Sequence, residues 1–135
     1  MRSIKAIIVG SVFIVVTLLL LQLVYVFVAV GYIWLADIYP FLNNITGIFR
    51  YLVGIPVYII TMFLGGYITA DIANVHTNIK VLFHCLAVGL ITVGGMMYSV
   101  VENSSLTITG IVVTVLALSA TSAGGFYWLK NNEAN

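Results

Sequence analysis

The sequence predicts an all-α, polytopic membrane protein in which four transmembrane helices form two hairpins. Three observations lead to this fold class: a composition that is 62% hydrophobic and only 7% charged, four long uncharged runs, and short polar connections between them. Soluble domains usually carry about a quarter of their residues as charged side chains. Because so few charges cannot cover a globule with polar surface, lipid is the expected solvent.

Four runs have the length of a membrane span, which needs about 20 mostly apolar residues to cross roughly 30 Å of hydrocarbon. We predict one transmembrane domain, residues 1–135, with spans at about 6–34, 51–70, 81–101 and 106–129. The runs are apolar on all faces. In lipid such a backbone satisfies its own amide groups only as a helix.

The first run follows a positively charged start formed by Arg2 and Lys5, and it has no charge from Ala6 to Ala36. The apolar core of a cleaved signal peptide is shorter, at about 7–15 residues. The sequence therefore predicts that this segment is retained as the first transmembrane helix.

Orientation is predicted from lysine and arginine, which are retained on the cytoplasmic side in short loops. With both termini cytoplasmic, the inside carries Arg2, Lys5, Lys80 and Lys130, and the outside carries Arg50. This excess of four basic residues over one predicts that the N- and C-termini are cytoplasmic. The very short loops and the single cysteine favour a bacterial inner (cytoplasmic) membrane.

Small residues recur at helical spacing, and close packing through such residues holds lipid-embedded helices together. Thr61, Gly65 and Thr69 form one stripe in the second span. "LGGY" near the end of that span is echoed by "AGGF" near the end of the fourth. The predicted helix-packing residues are Gly65, Gly66, Gly89, Gly94, Gly95, Gly124 and Gly125.

A possible polar site is formed by Asp71, Lys80 and His84 at the cytoplasmic turn between spans two and three. Asp71 either pairs with Lys80 across the turn or contributes to a proton or cation site. His84 lies one helical turn beyond Lys80, where an imidazole needs a hydrogen-bond partner. Gln22, in the middle of the first span, is predicted to face other helices and hydrogen-bond to them, with substrate contact as the alternative.

The pattern of reactive residues predicts no catalytic group, cofactor or metal. Cys85 is the only cysteine, so it can form neither an internal disulfide nor a cysteine-based zinc site. His76 belongs to the turn and His84 to the third span, so the two cannot face each other across a haem. The net charge of +1, without a basic cluster, predicts no nucleic-acid partner.

"GGYITADIA", followed by "LFHCLAVGLI", resembles a pattern found in small bacterial four-helix integral membrane proteins that have no assigned activity. The likeness covers about residues 64–89. The agreeing positions are Gly65, Gly66, Ala70, Ala73, His84 and Gly89, whereas Asp71 replaces a residue that is more often basic or variable. The resemblance implies a four-span fold and no particular reaction.

Two classes of function fit these features. The first is a non-catalytic structural or accessory subunit that packs laterally in the bilayer, as a homo-oligomer or within a larger membrane-protein complex. The alternative is a small transporter or channel with a polar inner mouth at Asp71, Lys80 and His84. Small multidrug transporters have a similar size, but they rely on a buried acidic residue in the first helix. This chain has none between Ala6 and Ala36.

Overall fold

A computed structural model describes residues 2–44, 46–101 and 108–133. These residues form four α-helices: α1 (Arg2–Ile38), α2 (Thr46–Ala73), α3 (Asn78–Val101) and α4 (Ile108–Glu133), with a short 3₁₀ helix at Pro40–Asn44. No strand occurs in this part of the chain. All four helices are long and apolar enough to cross a membrane, which confirms the all-α, four-helix prediction.

The connection between α1 and α2 is shorter than the sequence predicted, because both helices are longer than the predicted spans. At 37 residues, α1 extends about 55 Å, well beyond the hydrocarbon thickness. The Tyr32 hydroxyl donates a hydrogen bond to the Leu42 carbonyl and so ties the 3₁₀ helix back onto α1. The predicted turn at residues 102–107 lies outside the described residues.

Pro56 lies in the interior of α2, which begins at Thr46. The sequence left open whether this proline is a first-turn residue or interrupts the helix. Since proline has no N–H, the carbonyl of Leu52 lacks its usual intrahelical donor. The helix continues through the proline to Ala73.

The second helix is the centre of the bundle and packs against the other three. Gly10 of α1 lies against Thr69 of α2, which makes these helices antiparallel. Asp71 near the end of α2 meets Trp128 near the end of α4, so these two run in the same direction. We refer to the end that contains Asp71, Lys80 and the start of α1 as the Asp71 end. The opposite end is the Pro40 end.

Packing is concentrated toward the Asp71 end. One buried cluster lies in the middle of the bundle and includes Ile14, Met62 and Val88. A second lies at the Asp71 end and consists of Ala70, Val81, Cys85, Trp128 and Leu129. By contrast, α1 has no buried residue between Ile14 and Ala36. The Pro40 half of α1 is therefore an apolar helix with most of its surface open.

Helix α2 ends on Asn74, whose φ of 49° lies in the left-handed region. Its N–H donates to the Ala70 carbonyl at 2.9 Å, which closes the last turn. Glycine and asparagine tolerate this conformation, whereas other side chains meet the following carbonyl at a cost of about 1–2 kcal/mol.

We therefore expect Asn74→Gly to retain the stability of the wild type and Asn74→Val to lower it by about 1–2 kcal/mol, through backbone strain. Cys85 is the only cysteine and is fully buried, so its alkylation rate in mixed micelles reports opening of the bundle. Equal rates for the two variants would contradict the strain argument.

Candidate functional site

The two adjacent glycines of α2 face different helices. A methyl group on Gly65 would lie 2.2 Å from Ile14 of α1. One on Gly66 would lie 2.0 Å from the Thr121 carbonyl oxygen of α4. The pair therefore allows α2 to be held closely between α1 and α4.

The glycine pair of α4 has the same arrangement. A methyl group on Gly124 would lie 2.0 Å from the Phe63 carbonyl oxygen of α2, and one on Gly125 would lie 2.3 Å from the Cys85 sulfur of α3. Gly66 and Gly124 thus form a reciprocal contact in which each faces a backbone carbonyl of the other helix. We call this contact the α2–α4 crossing.

The three predicted glycines of α3 have different surroundings. Gly89 is buried against Leu118 and Thr121 of α4. Gly94 and Gly95 are exposed, and a methyl group on either would meet nothing within 4 Å. The buried face of α3 follows Val81, Cys85, Val88 and Thr92. Gly94 falls outside this helical spacing, whereas Gly95 continues it but is exposed.

Buried threonine hydroxyls in the bundle are satisfied within their own helices. Thr69 donates to Gly65 at 2.7 Å, Thr92 to Val88 at 2.8 Å and Thr121 to Ala117 at 2.9 Å. The buried threonines therefore act in packing as small, internally satisfied side chains, and hydrogen bonding does not link them to neighbouring helices. At the α2–α4 crossing the contact is made by close backbone approach and by the rings of Phe63 and Tyr67 against Tyr127.

At the Asp71 end, Trp128 joins two parts of the chain. Its indole N–H donates to Asp71 Oδ1 at 2.8 Å, and its ring stacks on His76 with centroids 5.7 Å apart. Trp128 is only 2% exposed. The sequence predicted either a pair with Lys80 or a proton or cation site for Asp71, and it did not indicate Trp128, because no local spacing connects residues 57 positions apart. A tryptophan near a predicted interface was the one available signal.

His84 finds its hydrogen-bond partner on its own helix. Its Nδ1 lies 2.6 Å from the Lys80 carbonyl oxygen, and the side chain is 7% exposed. Because a carbonyl can only accept, Nδ1 carries the proton and Nε2 is the acceptor in the neutral ring. Asp71 and His84 thus form hydrogen bonds to different groups, namely the Trp128 indole and the Lys80 carbonyl. The Lys80 side chain itself is exposed.

Gln22 lines a groove of about 440 Å³ between α1 and α2 in the Pro40 half. The groove has an almost entirely apolar lining. The Gln22 side chain is exposed, and no other described residue holds its amide by a hydrogen bond. Tyr58 also lines the groove, and its hydroxyl oxygen is buried without a hydrogen-bond partner in the part of the chain that the structure describes. The residues that line the groove are Leu18, Leu21, Gln22, Val24, Tyr25, Val28, Val53, Gly54, Val57 and Tyr58.

Comparison with known proteins gave no match: no family model, curated protein or solved structure resembles the chain significantly. Among the described residues, no group of three or more histidine, cysteine, aspartate or glutamate side chains is placed to hold a metal ion.

Proposed function

We propose that the chain is a non-catalytic integral membrane protein that acts by lateral packing, with copies of itself or within a larger membrane complex. The observation that supports this most is the open Pro40 half of α1, which combines exposed apolar side chains with a glutamine that has no partner among the described residues. An apolar surface alone fits lipid as well as protein. A polar amide at that depth favours a protein neighbour, because lipid chains offer no hydrogen bond.

The distribution of glycines supports the same proposal. Gly65, Gly66 and Gly124 are used inside the bundle, where they allow the close approach of neighbouring helices. Of the glycines with open space around them, Gly31 and Gly54 belong to the two helices that border the Gln22 groove, whereas Gly94 and Gly95 belong to α3. An open glycine costs a helix roughly 0.5–1 kcal/mol relative to alanine, and a surface for close helix approach would offset that cost.

We further propose a bacterial inner membrane with the Asp71 end on the cytoplasmic side. Lys5, Lys80 and Lys130 all belong to this end, as the start of α1, the start of α3 and the end of α4 lie together there. The positive-inside rule supports this orientation. In it, both termini are cytoplasmic and the 3₁₀ helix at Pro40–Asn44 is outside.

A direct test is purification of the tagged chain from its native membrane in a polymer that retains lipid, followed by mass spectrometry of the co-purified proteins. We expect stoichiometric association, either with further copies or with other membrane proteins. Recovery of the chain alone, as a monomer at native abundance, would contradict the proposal.

A transporter with its mouth at Asp71 and His84 makes a different prediction, which liposome flux can test. We expect wild type, Asp71→Asn and His84→Ala to give the same proton and cation flux as protein-free liposomes between pH 5.5 and 8. The physical reason is that both side chains are already engaged, with Trp128 and the Lys80 carbonyl. A wild-type flux that either substitution removes would favour the transporter.

A further inference from the structure

We infer that the groove between α1 and α2 in the Pro40 half binds a second copy of this chain, and that Gln22 hydrogen-bonds to Gln22 of that copy. This inference rests on the proposed function, because it assigns the surface and the partner of the lateral contact. Three observations carry it: the depth of Gln22, its lack of a partner, and the open glycine beside it.

Gln22 lies deep in the predicted hydrocarbon. At 1.5 Å per residue it is about 26 Å along α1 from Lys5 and about 18 Å from Trp34. Water is scarce at that depth, and an unsatisfied polar group is costly there. Since the amide of Gln22 has no partner among the described residues, a neighbour in the membrane has to supply one.

The chemistry of the amide restricts that neighbour. A glutamine side chain both donates and accepts, so two of them are complementary to each other. Acyl chains supply neither a donor nor an acceptor at mid-membrane depth. Two copies with the same orientation, related by a two-fold axis along the membrane normal, bring each residue to the depth of its equivalent. Gln22 of one copy then lies level with Gln22 of the other.

Two threonines near this depth are already engaged within their own helices. Thr92 donates to Val88 and Thr114 to Gly110, both at 2.8 Å. The Tyr58 hydroxyl has no partner within residues 2–44, 46–101 and 108–133, and Tyr58 lines the same groove as Gln22. Gln22 and Tyr58 thus line the same groove, with the amide exposed and the hydroxyl oxygen buried.

The shape of the groove suits a helix. A methyl group added at Gly54 would meet nothing within 4 Å, so the α2 backbone is open to close approach. Small residues at such a surface let helices approach in lipid. The apolar groove, of about 440 Å³, can accept the branched side chains that flank Gln22 on α1 of the second copy.

The test is the monomer–dimer equilibrium of purified, fluorescently labelled chain in liposomes, read by energy transfer over a range of protein-to-lipid ratios. We expect wild type to dimerise and Gln22→Leu to weaken the dimer about 5- to 30-fold, the loss expected for one or two hydrogen bonds in lipid. Gln22→Asn retains a shorter amide and should retain part of the affinity.

A steric variant tests the contribution of the groove independently of the Gln22 amide. Gly54→Leu places a side chain at the groove, at a position where an added Cβ meets nothing within 4 Å in the monomer, and we expect it to prevent dimerisation. Gly94→Leu is the matched control, because Gly94 is equally open but lies on α3, away from the groove. Thr114→Val controls for loss of a hydroxyl that is already bonded within its own helix. We expect both controls to dimerise like wild type.

Three results would overturn the inference. If Gln22→Leu and Gly54→Leu dimerise like wild type, the contact lies elsewhere and the proposed lateral function still stands. If purified wild type stays monomeric and retains a lipid that Gly54→Leu expels, the groove holds lipid. If Gln22→Leu lowers the stability of the monomer without changing association, the amide serves its own chain. A different result would contradict the proposed function itself, namely recovery of the chain from its native membrane as a monomer without partners.

Discussion

Replacing Gly66 or Gly124 with alanine will destabilise the bundle by about 3 kcal/mol, near the upper end of the range for overpacking. In both cases the new methyl group would lie 2.0 Å from a backbone carbonyl oxygen of the facing helix. A side chain could rotate away from such an overlap, but a helix backbone cannot, so α2 and α4 have to separate. Separation also removes the close contact that holds lipid-embedded helices together.

The measurement is the alkylation rate of Cys85 as the protein is titrated with denaturing detergent. Cys85 lies between Gly66 and Gly125, so opening at the α2–α4 crossing exposes it directly. Gly94→Ala and Gly95→Ala are matched controls, because both positions are open. Alanine is the better helix former by about 0.5–1 kcal/mol, and we expect these controls to equal or exceed wild type. Similar losses at Gly66 and Gly94 would contradict the account of the α2–α4 crossing.

Truncating Trp128 to alanine will cost about 3–5 kcal/mol, the range for large-to-small substitution of a buried aromatic residue. Three contributions are lost together: packing in the cluster at the Asp71 end, the hydrogen bond to Asp71, and stacking on His76. Because His76 belongs to the α2–α3 connection, we also expect faster proteolysis of that connection. Limited digestion and Cys85 alkylation measure the two effects.

Conservative variants separate the contributions. Trp128→Phe keeps an aromatic ring but loses the indole N–H, and we expect it to cost about 1 kcal/mol. Asp71→Asn keeps an oxygen that accepts from the indole, so it should behave like wild type. If Asp71→Asn were as damaging as Trp128→Ala, a role for the carboxylate charge would have to replace the hydrogen-bonding account.

The existence and approximate position of the helices could be predicted from the sequence, because in lipid a long apolar run has no alternative to a helix. The helix ends were harder to place. Helix α2 begins at Thr46, several residues before the predicted start at 51, and it runs through Pro56. The pattern of apolar residues does not mark the start of α2, because amphipathic residues can continue a helix beyond its apolar run.

Which glycine contacts which helix could not be predicted from the sequence. Gly65 and Gly94 are both helical glycines in apolar runs, yet one lies against Ile14 and the other is open. The difference depends on how the helices cross, which is a tertiary property. The same holds for Asp71: its nearest cation in the sequence is Lys80, whereas its hydrogen-bond partner is Trp128 on another helix.

Gln22 shows how much residue type alone can indicate. A glutamine in the middle of an apolar span predicted a hydrogen-bonded contact with other helices. In the structure this residue lies at an open groove, with its amide exposed. We therefore still propose that Gln22 hydrogen-bonds to a protein group, but on a second copy of the chain and not on another helix of the same copy.

Counting the polypeptides in each native particle will show whether the chain acts by lateral packing. The chain would be extracted from its own membrane in polymer-bounded lipid discs and weighed intact by native mass spectrometry. We expect particles that contain two or more polypeptides in a fixed ratio. Particles with a single chain and lipid, at native abundance and without prior detergent, would show that the chain does not act by lateral packing.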